Sequence, residues 1–63
     1  MIRYSTSNDR VCKEVRDWCR QNNYIYSFDE EDRKTGYCVY PFVILAPSYA
    51  EKDLIERIRP HTG

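Results

Sequence analysis

A chain of 63 residues forms at most one domain, close to the lower size at which a hydrophobic core alone supports a fold. Hydrophobic residues make up 41% of the sequence and charged residues of both signs make up 32%, a composition that excludes an intrinsically disordered chain. Ten basic and ten acidic residues cancel, so the chain has no overall charge that would attract nucleic acid or an anionic membrane.

The first two predicted elements are a strand and a helix. Apolar residues alternate in Ile2–Thr6, which is typical of a strand with one buried side. We expect the helix to begin at residues 7–12. Thr6, Ser7 and Asn8 are candidates for its N-cap, and Thr6 and Asp9 have the spacing of a capping box. Five residues recur at helical spacing and predict its core face: Val11, Cys12, Val15, Trp18 and Cys19.

Two further strands are predicted in the middle of the chain. Residues 22–23 supply a left-handed position that ends the helix, and alternating aromatics predict a strand at residues 24–28. Residues 29–36 are almost wholly polar and favour a solvated turn, with an acidic docking surface as the alternative. The apolar run at residues 42–46 predicts a strand buried on both faces. Pro41 is expected before this strand, because proline cannot donate a ladder hydrogen bond.

The last predicted element is a helix that begins with a second capping-box pattern at Ser48. Pro60 is expected to end this helix and to leave residues 60–63 as a tail. The chain is then one domain of residues 1–63, ordered over residues 1–59. Its order β-α-β-β-α predicts an α/β fold in which helices pack on a small mixed sheet.

Several stretches, taken in order, resemble the glutaredoxins and the small glutaredoxin-like redoxins of the thioredoxin-fold family. Ile2–Thr6 is similar to the family's first strand, and residues 8–12 resemble its active-site segment, with Cys12 in the place of the second active-site cysteine. Residues 39–44 resemble the stretch with a cis-proline before the third strand, and residues 53–58 resemble the closing helix. The resemblance implies a minimal thioredoxin-like fold.

Three departures from this family concern its chemistry. The nucleophilic cysteine falls on Asp9, so the C-x-x-C dithiol is missing. The segment between the second and third strands is short by most of a helix, and residues 47–50 replace a Gly-Gly turn that belongs to the glutathione-binding surface. Because dithiol exchange needs an attacking thiolate and a resolving thiol, the sequence predicts that this chemistry is lost.

Cys12 is the candidate catalytic residue. A thiol in the first turns of a helix, beside Arg10 and Lys13, has a physical reason for a lowered pKa, although Asp9 opposes it. The alternative, which we favour, is that Cys12 is a small core residue, since cysteine is among the most buried residue types. A contact between Cys12 and Cys38 is a further possibility.

The candidate binding residues are Tyr40, Pro41, Tyr49 and Arg10. The resemblance implies that Tyr40 and Pro41 form a rim that pairs with an extended peptide or with glutathione, whereas the alternative is a rigid turn. Tyr40 and Tyr49, together with Tyr37, are also candidates for an exposed aromatic patch. In so small a domain, these aromatics more often belong to the core.

Three functions follow from these residues. The favoured one is a module that binds another protein, or an effector of a partner enzyme of the kind a compact viral genome carries. The alternative is monothiol exchange through Cys12, with glutathione or a partner cysteine as the resolving group. Binding of single-stranded nucleic acid through tyrosines with Arg3, Arg33 and Lys34 is disfavoured by the zero net charge. No cofactor or metal is expected, since three scattered cysteines and one histidine lack the spacing of zinc ligands.

Sequence features also bear on the cellular compartment. No apolar run approaches the roughly 20 residues of a membrane span, and the first residues lack the apolar stretch of a signal peptide. Three cysteines are an odd number, which suits a reducing compartment better than a disulfide framework. We therefore expect a cytoplasmic protein without a membrane partner.

Overall fold

The computed structural model describes residues 1–29 and 39–62. Within these residues the elements are β1 (Ile2–Thr6), α1 (Asp9–Gln21), β2 (Ile25–Phe28), β3 (Tyr40–Leu45) and α2 (Ala50–Thr62). This confirms the predicted element order and a small α/β fold. Most of the predicted polar turn lies outside the described residues, and so do Arg33, Lys34, Tyr37 and Cys38 with the predicted contact between Cys12 and Cys38.

The described sheet has three strands in the order β1-β3-β2, and both pairings are antiparallel. The expectation of a mixed sheet is therefore wrong. β1 and β2 run in the same direction, but β3 lies between them and is antiparallel to each. The strand with the longest apolar run thus takes the central position, where its backbone pairs on both sides.

Pro41 is the second residue of β3, so the prediction that it precedes the strand is wrong. The last residue pair between β2 and β3 is Phe28 with Phe42. Just beyond it, the backbone N–H of Asp29 donates to the carbonyl oxygen of Pro41 at 2.8 Å. Since the N and C=O of a strand residue point to the same neighbour, the missing N–H of Pro41 faces the end of β2. A proline fits this central strand because the ladder stops there. Its peptide bond is trans, as are all those described.

The core lies between one face of the sheet and the two helices. Register places Ile2, Ile44 and Tyr26 in one row across the strands, and Tyr4, Phe42 and Phe28 in the next. These rows meet the buried face of α1 and the apolar positions of α2: Val11, Cys12, Val15, Trp18, Cys19, Leu54 and Ile58. The predicted core face of α1 is thereby confirmed.

The opposite face of the sheet is not covered along its whole length. On β3 this face carries Pro41, which is fully buried, Val43, which is half-buried, and Leu45, which is 59% exposed. The prediction that this strand is buried on both faces is therefore wrong at Leu45. The reason is that both helices pack on the same face of the sheet.

Side chains at both ends of α1 determine where the helix starts and stops. Asn8 is the N-cap, and its Oδ1 accepts hydrogen bonds from the backbone N–H groups of Arg10 at 2.8 Å and Val11 at 3.3 Å. Asn8 was one of the three predicted cap candidates. The capping box predicted from Thr6 and Asp9 is not formed, because Thr6 accepts a hydrogen bond from the backbone N–H of Asn8 at 3.1 Å. At the other end, Asn23 has φ 59°, which confirms the predicted left-handed position.

α2 continues through Pro60 to Thr62, so the predicted helix end and the predicted tail at residues 60–62 are wrong. The last turn is held against α1. Asn8 Nδ2 donates to the carbonyl oxygen of His61 at 3.4 Å, and His61 Nε2 lies 3.7 Å from a carboxylate oxygen of Glu14. These contacts stabilise a turn that the proline alone would weaken. Neither described helix has the length and apolar character needed to cross a membrane.

Candidate functional site

Cys12 lies in the first half of α1 and is 5% exposed. Burial is the largest effect on its thiol and raises the pKa of Cys12 above the ordinary value. The Arg16 guanidinium, one turn further along the helix, opposes this effect, while the Asp9 carboxylate adds to it. Burial thus outweighs the effect of cations that would lower this pKa, and Cys12 is a core residue, which is the interpretation that the sequence favoured. The geometry keeps this thiol protonated at neutral pH.

Two tyrosine hydroxyls flank the same side of α1. Tyr40 donates a hydrogen bond to Asp9 Oδ1 at 2.7 Å, and this contact raises the pKa of Tyr40. Tyr26 accepts a hydrogen bond from Arg16 Nε at 3.1 Å. Since Asp9, Cys12 and Arg16 are spaced by three and four residues, they lie along one side of the helix. The two hydrogen bonds connect this side of α1 to β3 and β2.

The described residues bring no second thiol to Cys12. Cys19 lies two helical turns further on, about 10 Å along the axis, which is beyond disulfide reach. It is fully buried, and burial raises the pKa of its thiol as well. Both cysteines are free. The arrangement suits packing rather than thiol exchange, which requires an accessible thiolate.

The four predicted binding residues occupy different environments. Pro41 is buried in β3, Tyr40 is half-buried, and Arg10 and Tyr49 are exposed. Arg10 and Tyr40 are near each other, because the Tyr40 hydroxyl contacts Asp9, the residue before Arg10. Tyr49 follows the opposite end of β3, and the strand from Tyr40 to Leu45 is itself about 17 Å long. Tyr40 and Tyr49 therefore do not form one aromatic patch.

No protein-family model, curated protein or solved structure matches this chain. We therefore infer the function from the geometry of the molecule. Over residues 1–29 and 39–62, no three His, Cys, Asp or Glu side chains are grouped so that they could hold a metal ion.

An exposed apolar row crosses the open face of the sheet, and it was not among the predicted sites. Ile25 pairs with Leu45 on one side of β3. On the other side Ile2 pairs with Ile44, so the register brings Met1 beside Leu45. We call Met1, Leu45 and Ile25 the apolar row; their exposed fractions are 64%, 59% and 70%. The predicted order of three strands and two helices was a signal for this row, because two helices that pack on one face of a sheet leave the other face open.

Proposed function

We propose that this protein is a small binding module that docks an apolar segment of another protein on its apolar row. The observation that carries the proposal is the exposure of three large apolar side chains side by side on the face that neither helix covers. Single exposed apolar residues are common on protein surfaces, whereas adjacent ones form a contiguous surface that a partner can bury.

The size of the apolar row favours a short partner segment over a second copy of this chain. Burying what is now exposed on the three side chains would remove roughly 200–300 Å² from water, which stabilises a complex by about 5–8 kcal/mol before the costs of association. A stable dimer needs about 800 Å² on each partner. The row alone is well below that area but is sufficient for the apolar centre of a small interface with a polar rim.

The binding experiment compares two matched surface variants. In Ile25→Ser/Leu45→Ser the apolar row is removed, while Ile55→Ser removes an apolar residue on α2 that is 38% exposed. We expect the wild type to be monomeric in sedimentation. A partner captured by affinity purification and then purified is expected to bind at least tenfold more weakly to the double variant in calorimetry. The control variant should bind like the wild type.

Three results would contradict this proposal. One is that no partner is captured at all, and another is that the double variant and the Ile55→Ser control bind the partner equally. The third is a wild-type dimer that the double variant dissociates, since a second copy would then occupy the apolar row.

Thiol-disulfide exchange is not part of the proposed function, because Cys12 is buried and its pKa is raised. In a glutathione-coupled disulfide reduction assay we expect no turnover by the wild type. Turnover that disappears in Cys12→Ala would instead support monothiol exchange with glutathione as the resolving group.

A diverged glutaredoxin-like origin, with action in the cytoplasm, belongs to the same proposal. Its support is the β-α-β-β-α order, the position of Cys12 just after the first strand, and the free state of Cys12 and Cys19. The antiparallel sheet and the trans peptide bond before Pro41 are departures from the mixed sheet and cis-proline that the resemblance implies.

A further inference from the structure

The solvent side of α1 carries a concentration of positive charge that the zero net charge of the chain conceals. Four exposed cations lie along it: Arg10, Lys13, Arg16 and Arg20. Their spacings of three, three and four residues keep them on one side of the helix. In the described part of the chain, none of the four has a carboxylate oxygen within 4 Å, whereas the cations Arg57 and Arg59 of α2 are each paired with a glutamate.

Three of these cations share an open groove. Lys13, Arg16 and Arg20, together with Asp17, border an open surface depression of about 370 Å³ on α1. We call it the basic groove. Arg16 at its centre is oriented by the hydrogen bond from its Nε to the Tyr26 hydroxyl at 3.1 Å. The groove therefore combines a net positive charge with one cation that is already held in position.

We propose that the basic groove binds an acidic helical segment of a partner protein. Lys13, Arg16 and Arg20 are about 4.5 and 6 Å apart along the axis of α1, at 1.5 Å per residue. Carboxylates at positions i, i+3 and i+7 of a second helix have the same spacing and the opposite charge. This inference rests on the proposed binding role and adds a second surface to it, on the helix layer rather than on the open face of the sheet.

Charge composition favours discrete carboxylates over a phosphate backbone. Asp17 lies within the groove, so a nucleic acid with evenly spaced phosphates would place one of them near a carboxylate. The whole chain has a pI near 6.5, far from the basic character of nucleic-acid-binding domains. A peptide that carries only three carboxylates can place one on each cation, and so brings fewer negative charges near Asp17 than a chain of phosphates does.

The test uses a labelled alanine-rich helical peptide with glutamates at i, i+3 and i+7, and a second peptide with the same composition but three consecutive glutamates. Anisotropy titration is expected to show at least about fivefold tighter binding of the spaced peptide. Lys13→Gln/Arg20→Gln should weaken this binding about fivefold or more, and Lys52→Gln/Arg59→Gln, which removes the same charge from α2, should leave it unchanged. Binding should also weaken with added salt.

Each contrary result overturns the inference. If the two peptides bind equally, the spacing of the carboxylates does not matter. If the two charge variants weaken binding equally, the net charge of the protein and not the basic groove explains the binding. Tighter binding of a single-stranded oligonucleotide of equal charge would assign the groove to nucleic acid instead. Ile25→Ser/Leu45→Ser should bind the spaced peptide like the wild type, so failure at the basic groove and failure at the apolar row are distinguishable. Circular dichroism verifies the fold of every variant.

Discussion

At the scale of single residues, Cys12 shows how burial decides between two roles. Its neighbours in sequence include cations that favour a thiolate, and its place in the first turns of α1 favours one as well. The folded chain surrounds the thiol with core residues, and the loss of hydration outweighs these charges, so that its pKa is raised. Trp18 and Cys19 are also buried, so both are core residues, as predicted.

We expect Cys12 to be inert to alkylation in the folded protein. In a Cys38→Ser background, iodoacetamide should modify Cys12 and Cys19 at least about tenfold more slowly at neutral pH than it does in urea, because both thiols are buried and protonated. Mass spectrometry of timed samples measures the rates. The rate for Cys12 should rise only above its ordinary pKa of 9.0. Rapid native labelling at neutral pH would restore Cys12 as a candidate nucleophile.

At the scale of elements, the two helices are held together by polar contacts that run along their length. Trp18 Nε1 donates to Asp53 Oδ2 at 2.9 Å, Arg57 Nε donates to Glu14 Oε2 at 2.8 Å, and Asn8 contacts His61. As the residue numbers fall along α1, they rise along α2, so the two helices are antiparallel. The contact between Asn8 and His61 also explains why α2 continues past Pro60.

Removing the N-cap of α1 should destabilise the protein. Asn8→Ala leaves the backbone N–H groups of Arg10 and Val11 without their side-chain acceptor, and it should lower the free energy of unfolding by about 1 kcal/mol or more. Urea denaturation measures this change. Asn8→Asp keeps the acceptor and should retain most of the stability, while Ser7→Ala should have little effect. A similar loss in Ser7→Ala would show that the cap is not the cause.

The contact between Glu14 and Arg57 should make stability depend on acidic pH. The hydrogen bond from Arg57 lowers the pKa of Glu14 below its ordinary value of 4.5, and burial opposes this in part. A carboxylate with a lowered folded pKa adds stability above its unfolded value, and this stability is lost as the pH falls through the folded value. Glu14→Gln should therefore show a smaller fall in melting temperature between about pH 6 and pH 3 than the wild type.

The control for this pH dependence is Glu56→Gln, which removes an exposed carboxylate paired with Arg59 within α2. Its melting temperature should fall between about pH 6 and pH 3 as much as that of the wild type, because an exposed ion pair within one helix contributes little to stability. Should Glu14→Gln retain the full acid sensitivity, the contact between the helices would not be its source.

At the scale of the whole molecule, the two-layer arrangement divides β3 into a core face and an open face. Ile44 is fully buried beneath the helices, while the next residue, Leu45, is 59% exposed. Successive side chains of a strand point to opposite faces of the sheet, so when Ile44 faces the core, Leu45 faces away from it. The core face of β3 is the face on which the helices pack. Because both helices pack there, the apolar row on the other face stays exposed.

Substitutions at these two adjacent residues should differ sharply. Ile44→Ala should lower the free energy of unfolding by about 2–5 kcal/mol, a large share of the roughly 3–9 kcal/mol available to a chain of this size. Leu45→Ala should change it by less than about 0.5 kcal/mol. Thermal unfolding followed by circular dichroism measures both. Equal destabilisation would mean that the open face is covered in the folded protein.

Local periodicity and backbone preference were enough to predict the element order, the core face of α1, the burial of Trp18 and Cys19, and the left-handed residue after α1. Distant contacts settled that β3 is the central strand, that both of its pairings are antiparallel, and that both helices pack on one face of the sheet. The same packing leaves the apolar row exposed, whereas the cations of the basic groove follow from the helical spacing of α1 alone. The strand order and the apolar row depend on which distant segments pack together, and an apolar run of the same composition suits a strand covered on one face or on both.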